Sequence, residues 1–282
     1  MKKVITFIGA GNMSRSLIAG LIQDKTDLEI RIADPDDAQL QSIQTNWTGI
    51  TAFTDNLQAI DNADIIVLAV KPQIMQKVCE PLQAVLASQD TLIISIAAGV
   101  GISNLNDWLG GSALDGSDNQ NDKPLPIVRC MPNTPALVQS GMTGLYANQQ
   151  VSDEQHDLAE SILRAVGSTL WLSGEDKLDA VTAVSGSGPA YYFLVMEAMQ
   201  NAAQKLGLSA EESRLLVLQT AFGAAKLALE SRDDASVLRQ RVTSKGGTTE
   251  AALKELMEGG LPELFEKALT AAENRSRELK KL

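Results

Sequence analysis

Histidine is almost absent from this chain: one residue in 282, His156. It sits in the polar segment "SDEQHDLAES", where solvent exposure is expected and a catalytic base is not. The two cysteines, Cys79 and Cys130, lie far apart in apolar stretches with no CxxC pair. That spacing speaks against a disulfide framework or a zinc site and for buried, reduced thiols in a cytoplasmic protein. Basic residues are outnumbered, 24 against 35, for a net charge of −11. No Lys/Arg cluster is available to grip a phosphate backbone, so nucleic acid is not expected as a partner. No apolar run approaches the ~20 residues of a membrane span. The opening "MKKVITFIGAGN" has too short an apolar run, and no cleavage signature, for a secretory signal. Missing too are a Ser–His–Asp set, an H-E-x-x-H helix and carboxylates at metal-ligand spacing, so no metal is expected.

What is present is a 44% hydrophobic chain patterned in two parts. The first alternates short apolar runs with helical stretches: "VITFI", "LEIRIAD", "ADIIVLAVKP", "DTLIISIAAG", "IVRCM", "TGLYAN" and "STLWLS". Such alternation predicts a doubly wound α/β sheet of parallel strands, covered on both faces. Asp36 is placed to cap the helix after the second strand. "GGSALDGSDNQNDKP" (110–124) reads as a mobile surface loop without chemistry. From Gly174 the strand signal ends. Residues 1–173 are therefore expected to form a dinucleotide-binding domain and 174–282 a helical one. Within the latter, "SRLLVLQTAFGAAKLALES" is apolar on nearly every side, which calls for enclosure by a second copy of the chain.

"FIGAGNMS" places Gly9, Gly11 and Ser14 in a G-x-G-x-x-small pattern between a strand and a helix, with Asp34 ending the next strand. The glycines suit a tight turn and close approach of a pyrophosphate, and the carboxylate suits a ribose 2′-hydroxyl. The next lining segments, at the carboxyl ends of the following strands, are "AVKP", "IAAG" and "MPNTP". Asn133 in the last is either a partner of the nicotinamide ribose or amide, or the closer of a Pro-flanked turn. "TSKGGTTEAAL" supplies paired glycines and threonines at a helix start, the grammar of an anion cradle. A site with a dinucleotide, an anion holder and no acid–base set suits hydride delivery to a C=N bond, since an imine brings its own proton.

"FIGAGNM", "AVKPQ", "RCMPNTPA", "AVTAVSGSGPAYYF" and "VTSKGGTTEAAL", in this order and spacing, resemble pyrroline-5-carboxylate reductases along nearly the whole chain. The resemblance implies a Rossmann domain followed by an all-helical dimerisation domain, assembly as dimers or as decamers (pentamers of dimers), and reduction of a cyclic imine to L-proline by NADPH and/or NADH. It implies a pyrophosphate cradle of Gly9, Ala10, Gly11, Asn12 and Met13, and Asn56 beside the adenosine. Ala69, Val70, Lys71, Pro72, Ile96, Ala97 and Ala98 would border the nicotinamide half. Ser185, Gly186, Ser187 and Gly188, up to Pro189, would line the substrate site with Ser244, Gly246, Gly247, Thr248 and Thr249. Thr249 would meet the ring nitrogen as the catalytic residue. Three departures stand out: Ser14 where the family has alanine, Lys245 where it has a proline, which is expected to loosen that loop, and the loop 110–124, longer than is usual in the family. Asp34 favours NADH by local electrostatics, whereas many relatives prefer NADPH. β-Hydroxyacid dehydrogenases share the N-terminal pattern but require a catalytic lysine that this chain lacks. A non-enzymatic dinucleotide sensor would leave the glycine–threonine cradle without a purpose.

Overall fold

Alternate residues of each apolar run pack on opposite faces, as a doubly covered sheet requires. Ile5, Phe7, Ile65, Val67, Leu92 and Ile94 join one core, whereas Ile8, Ile66, Leu68 and Ile93 join the other. The computed structural model describes residues 2–112 and 124–279. Residues 113–123 of the loop expected to be mobile thus lie outside the described residues.

Eight strands form one sheet: β1 (Lys3–Ile8), β2 (Leu28–Ala33), β3 (Thr51–Phe53), β4 (Ile65–Leu68), β5 (Leu92–Ser95), β6 (Ile127–Met131), β7 (Gly141–Ala147) and β8 (Gly167–Trp171). Their order is β3-β2-β1-β4-β5-β6-β7-β8. β1 to β6 run parallel, giving the Rossmann architecture expected. Two features correct the sequence reading. β3 is an additional edge strand, too short for its three residues to show a period. β7 is antiparallel to β6, and β8 parallel to β7, so the sheet is mixed at that end. A 3₁₀ stretch, Thr134–Val138, turns the chain back after β6, leaving no helical crossover of the kind a parallel pair needs.

The chain order reverses between β1 and its neighbour β4, opening the crevice at which such sheets bind ligands. Gly9 sits at that point with φ +104°, and a Cβ there would lie 2.8 Å from the Ala69 carbonyl oxygen. Only glycine fits this position.

The chain separates into two compact units, one comprising residues up to Ser187 together with those from Ala272, the other Gly188–Ala271. The last strand ends at Trp171, near the 173/174 division expected, whereas compactness divides the chain at 187/188. In the first unit, Ser276 of the final helix (Leu261–Leu279) donates to Asp179 Oδ1 at 2.8 Å. The second unit is helical. Its helix Ala210–Glu230 starts on a capping box formed by Ser209 and Glu212, yet buries only Ser213 and Val217. Leu215, Leu216, Phe222, Leu227 and Leu229 on it are exposed, as are Tyr192, Phe193 and Leu194 on the helix Gly188–Lys205. Among the described residues no helix is long and apolar enough to cross a membrane.

Candidate active site

The helix Asn12–Gln23 begins at Gly11 with no side chain capping it and no acid in its first turn. Its first amides therefore face the crevice at the positive end of the helix dipole, which suits a pyrophosphate. A Cβ at Gly11 would meet nothing within 4 Å, leaving room for close approach. Gly9, Gly11, Asn12 and Met13 thus fit a dinucleotide. Ser14 replaces the small residue well, because its hydroxyl is buried and donates to the Gly9 carbonyl at 2.6 Å.

Asp34 has a second occupation. Its Oδ2 accepts the Ala10 amide at 2.8 Å and its Oδ1 the Asp36 amide at 2.9 Å. The Ala10 amide is thereby closed to a phosphate, while each carboxylate oxygen keeps a lone pair for a ribose hydroxyl. Asp36 caps the helix Asp37–Asn46 as expected, accepting from Ala38 N at 2.9 Å. With the Asp36 and Ala38 amides both taken by carboxylates, that helix start offers a 2′-phosphate little. The nearby cation is Arg15, which the sequence reading missed. Its Nε donates to the Ala10 carbonyl at 3.2 Å, and its terminal nitrogens reach Ser42 Oγ at 3.0 Å and Gln39 Oε1 at 2.7 Å. Among the described residues no carboxylate pairs with it. Asp34 and Arg15 thus hold the two ends of one residue, Ala10.

The remaining cofactor candidates follow strand ends. Ala69 and Val70 lead from β4 to Lys71, the exposed N-cap of the helix Pro72–Cys79, with Pro72 in its first turn. Ile96, Ala97 and Ala98 follow β5, and the Ile96 amide donates to the Leu68 carbonyl at 3.2 Å. Asn56 opens the short helix Asn56–Ile60, capped by Asp55, and borders a 440 Å³ cavity with Thr54, Leu57, Ile74 and Lys77.

The Ser185–Ser187 segment differs from a capped helix start. The helix Lys177–Val181 widens into a π-turn over Thr182–Gly186, and the Ser187 amide already donates to the Thr182 carbonyl at 2.8 Å. Ser185 Oγ donates back to the Val181 carbonyl at 3.1 Å, so neither serine caps the helix that begins at Gly188. This wide turn, a feature frequent at functional sites, stands where the sequence places the Ser–Gly pairs. Gly186 lets it close on β6, since a Cβ would come within 2.5 Å of Met131 Cε. Asn133 is a clasp here: its Nδ2 donates to the Ser185 carbonyl at 3.0 Å and its Oδ1 accepts the Met142 amide at 2.8 Å.

In the second unit, the helix Thr248–Glu258 starts at Gly247, again without a side-chain cap. The turn before it is closed by the Gly247 amide donating to the Ser244 carbonyl at 3.0 Å, with Gly246 at φ +74°. The Gly246 amide donates to Glu250 Oε2 at 2.7 Å. The Gly247 amide is therefore not free, contrary to the sequence reading, and the cradle narrows to Thr248 and Thr249. The turn at Lys245 is held by these bonds without the family's proline.

His156 is half-exposed and stacked on Trp171, with ring centroids 3.6 Å apart. Cys79 and Cys130 are buried and free; burial, then the neighbouring Glu80, pushes the Cys79 thiol up to about 12.

Residues 175–279 match the family "Pyrroline-5-carboxylate reductase dimerisation", and residues 4–99 match "NADP oxidoreductase coenzyme F420-dependent". Over 276 residues the chain is 50% identical to a pyrroline-5-carboxylate reductase of Pseudomonas aeruginosa, covering 98% of this chain and 96% of that protein. A solved pyrroline-5-carboxylate reductase from Coxiella burnetii superposes with a TM-score of 0.90 at 46% identity, over 100% of both chains. The Plasmodium falciparum pyrroline carboxylate reductase, solved with NADP bound, gives a TM-score of 0.81 at 30% identity over 99% of both chains.

Proposed function

The chain belongs to the pyrroline-5-carboxylate reductase family, and from that premise we propose how its own residues share the reduction of the cyclic imine to L-proline, its step in proline biosynthesis. The bound nicotinamide supplies the hydride. Gly9, Gly11, Asn12 and Met13 hold the pyrophosphate at the start of the helix Asn12–Gln23, with Ala10 shaping the turn. Asp34 takes the adenosine ribose, and Asn56 borders the adenosine. Ala69–Pro72 and Ile96–Ala98 flank the nicotinamide half, and Asn133 holds the Ser185 segment to the end of β6 and to Met142.

On the substrate side, the amides of Thr248 and Thr249 receive the carboxylate, where a helix start stabilises an anion without a lysine. Ser185, Gly186 and Ser187 of the first unit are assigned to the substrate, as are Gly188, Ser244, Gly246 and Gly247 of the second. The Thr249 hydroxyl hydrogen-bonds the ring nitrogen. The imine arrives protonated, so no side chain must move a proton before hydride transfer, in keeping with the lone histidine stacked on Trp171. One observation carries this reading: a helix start with a glycine cap, no side-chain cap and two threonines in its first turn.

The protein is a homo-oligomer through its dimerisation domain. We assign it the dimer, or a pentamer of dimers, because the helix Ala210–Glu230 exposes apolar side chains on several faces. Its buried free thiols suit the cytoplasm. The test is oxidation of NADPH and of NADH by the purified protein with pyrroline-5-carboxylate, with L-proline identified as product. Cofactor binding without turnover would leave only a dinucleotide sensor.

A further inference from the structure

One carboxylate oxygen ties three elements of the first unit together. Glu175 Oε1 accepts Arg129 Nη1 at 2.6 Å and the Ile102 amide at 2.8 Å. Arg129 lies on β6 and is buried, so its guanidinium depends on that carboxylate. Ile102 opens the helix Ile102–Trp108, whose N-cap is Gly101, a residue with no side chain to cap it. Glu175, 73 positions further along the chain, caps that helix from outside. Just before the helix lies the loop Ile96–Gly101. Just after Glu175 lies the helix Lys177–Val181, launched by the Leu178 amide donating to the Glu175 carbonyl at 3.1 Å, which runs into the π-turn carrying Ser185.

A second tie closes a ring. Asn133, four residues beyond Arg129, binds the Ser185 carbonyl, ten residues beyond Glu175. The path from Glu175 through Arg129, β6, Asn133 and Ser185 back to Glu175 is thus made of two short chain segments and two cross-links. A ring so small leaves the π-turn little freedom relative to the end of β6, and the Ile102 bond adds the loop after β5 to the same frame.

We propose that Glu175 is a positioning residue for the reduction: through Arg129 and the Ile102 amide it sets the separation between the Ile96–Ala98 loop and the Ser185–Ser187 segment. This rests on the assignment of that loop to the nicotinamide and that segment to the substrate. Hydride transfer is steeply sensitive to donor–acceptor placement, and misplacement by about 1 Å costs on the order of 100-fold in rate. Neither Glu175 nor Arg129 need touch either ligand to govern it.

The test separates charge from cap. Arg129→Met/Glu175→Gln removes the buried cation and keeps an acceptor for Ile102. Arg129→Met/Glu175→Met removes both. The first, which loses the Arg129 cross-link but keeps the Ile102 cap, should lower kcat about 3- to 10-fold, while the second, which loses both ties, should lose roughly 10- to 100-fold. The loss should come with a raised primary deuterium isotope effect from the labelled reduced cofactor, at similar thermal midpoints for the two variants. Wild-type kcat and wild-type isotope effects in both would overturn the proposal. Glu175→Asp, the mildest change, keeps the charge but falls short of Ile102 and reads the same way should either double variant fail to fold. Lowered kcat with a raised isotope effect supports the role, and wild-type values for both refute it. Ala98→Leu isolates the premise. If it leaves the KM for NADPH unchanged, the loop assignment itself fails. If it raises that KM while the Glu175 variants behave as wild type, only the positioning role falls.

Discussion

Asp34→Ser tests the cofactor site most directly, because the structure gives this carboxylate two jobs. It holds the glycine turn through the Ala10 and Asp36 amides, and it presents negative charge where the adenosine ribose is assigned. The two jobs have separate magnitudes. A carboxylate about 5 Å from a 2′-phosphate in water-like dielectric repels each unit of its charge by roughly 0.8 kcal/mol. With nearly two charges on the phosphate, screened about half away at physiological salt, some 1 kcal/mol remains. Removing Asp34 should therefore shift the NADPH-to-NADH ratio of kcat/KM about 5-fold toward NADPH, and more at low salt. Losing the bond to the Ala10 amide loosens the turn for both cofactors, so both KM values should rise together by a further few-fold. Serine retains one acceptor oxygen and limits that second effect. The assay is initial-rate kinetics with each cofactor at two salt concentrations. Wild-type preference for NADPH beyond about 100-fold, or a ratio unmoved by the substitution at low salt, would show that Asp34 does not face the ribose.

Arg15→Gln should move the same ratio the other way, toward NADH, by roughly 3- to 10-fold, since it removes the cation bound to the Ala10 carbonyl; an unchanged ratio would make Arg15 only a staple between two helices. Thr249→Ala should lower kcat about 10- to 100-fold with little change in cofactor affinity, the worth of one hydrogen bond in a closed site, and wild-type turnover would remove the hydroxyl from the mechanism. Ala221→Glu, on the apolar helix Ala210–Glu230, should abolish assembly and fold together, because a charge enclosed by a partner finds no counter-charge; a soluble, active monomer on a sizing column would refute it. Ellman's reagent should find neither thiol in the native protein at neutral pH and both in denaturant, since burial keeps Cys79 and Cys130 protonated; rapid labelling of the folded protein would contradict their placement.

The elements that the sequence determined by itself are those whose cause is local. β1, the glycine turn and the helix Asn12–Gln23 follow from an apolar run, a residue that tolerates φ +104° and a helical period, all within some twenty residues. The Asp36 cap was legible for the same reason, its partner lying two residues away. The unusual apolarity of the helix Ala210–Glu230 is equally plain, because composition alone displays it. Strand direction left no such mark: β7 carries the same residue types whichever way it runs, and the turn after β6 decides. β3 is too short for periodicity and exists because β2 offers it an edge. Polar pairings were the least visible. Asp34 could be read as a ribose ligand, yet only the folded chain brings it to the Ala10 amide, 24 positions away. Glu175 likewise meets Arg129 across 46 residues and Ile102 across 73. Hydrophobic side chains need only a face, so their spacing announces them. A carboxylate needs a particular donor at hydrogen-bond distance, and which donor arrives there is decided by tertiary structure alone.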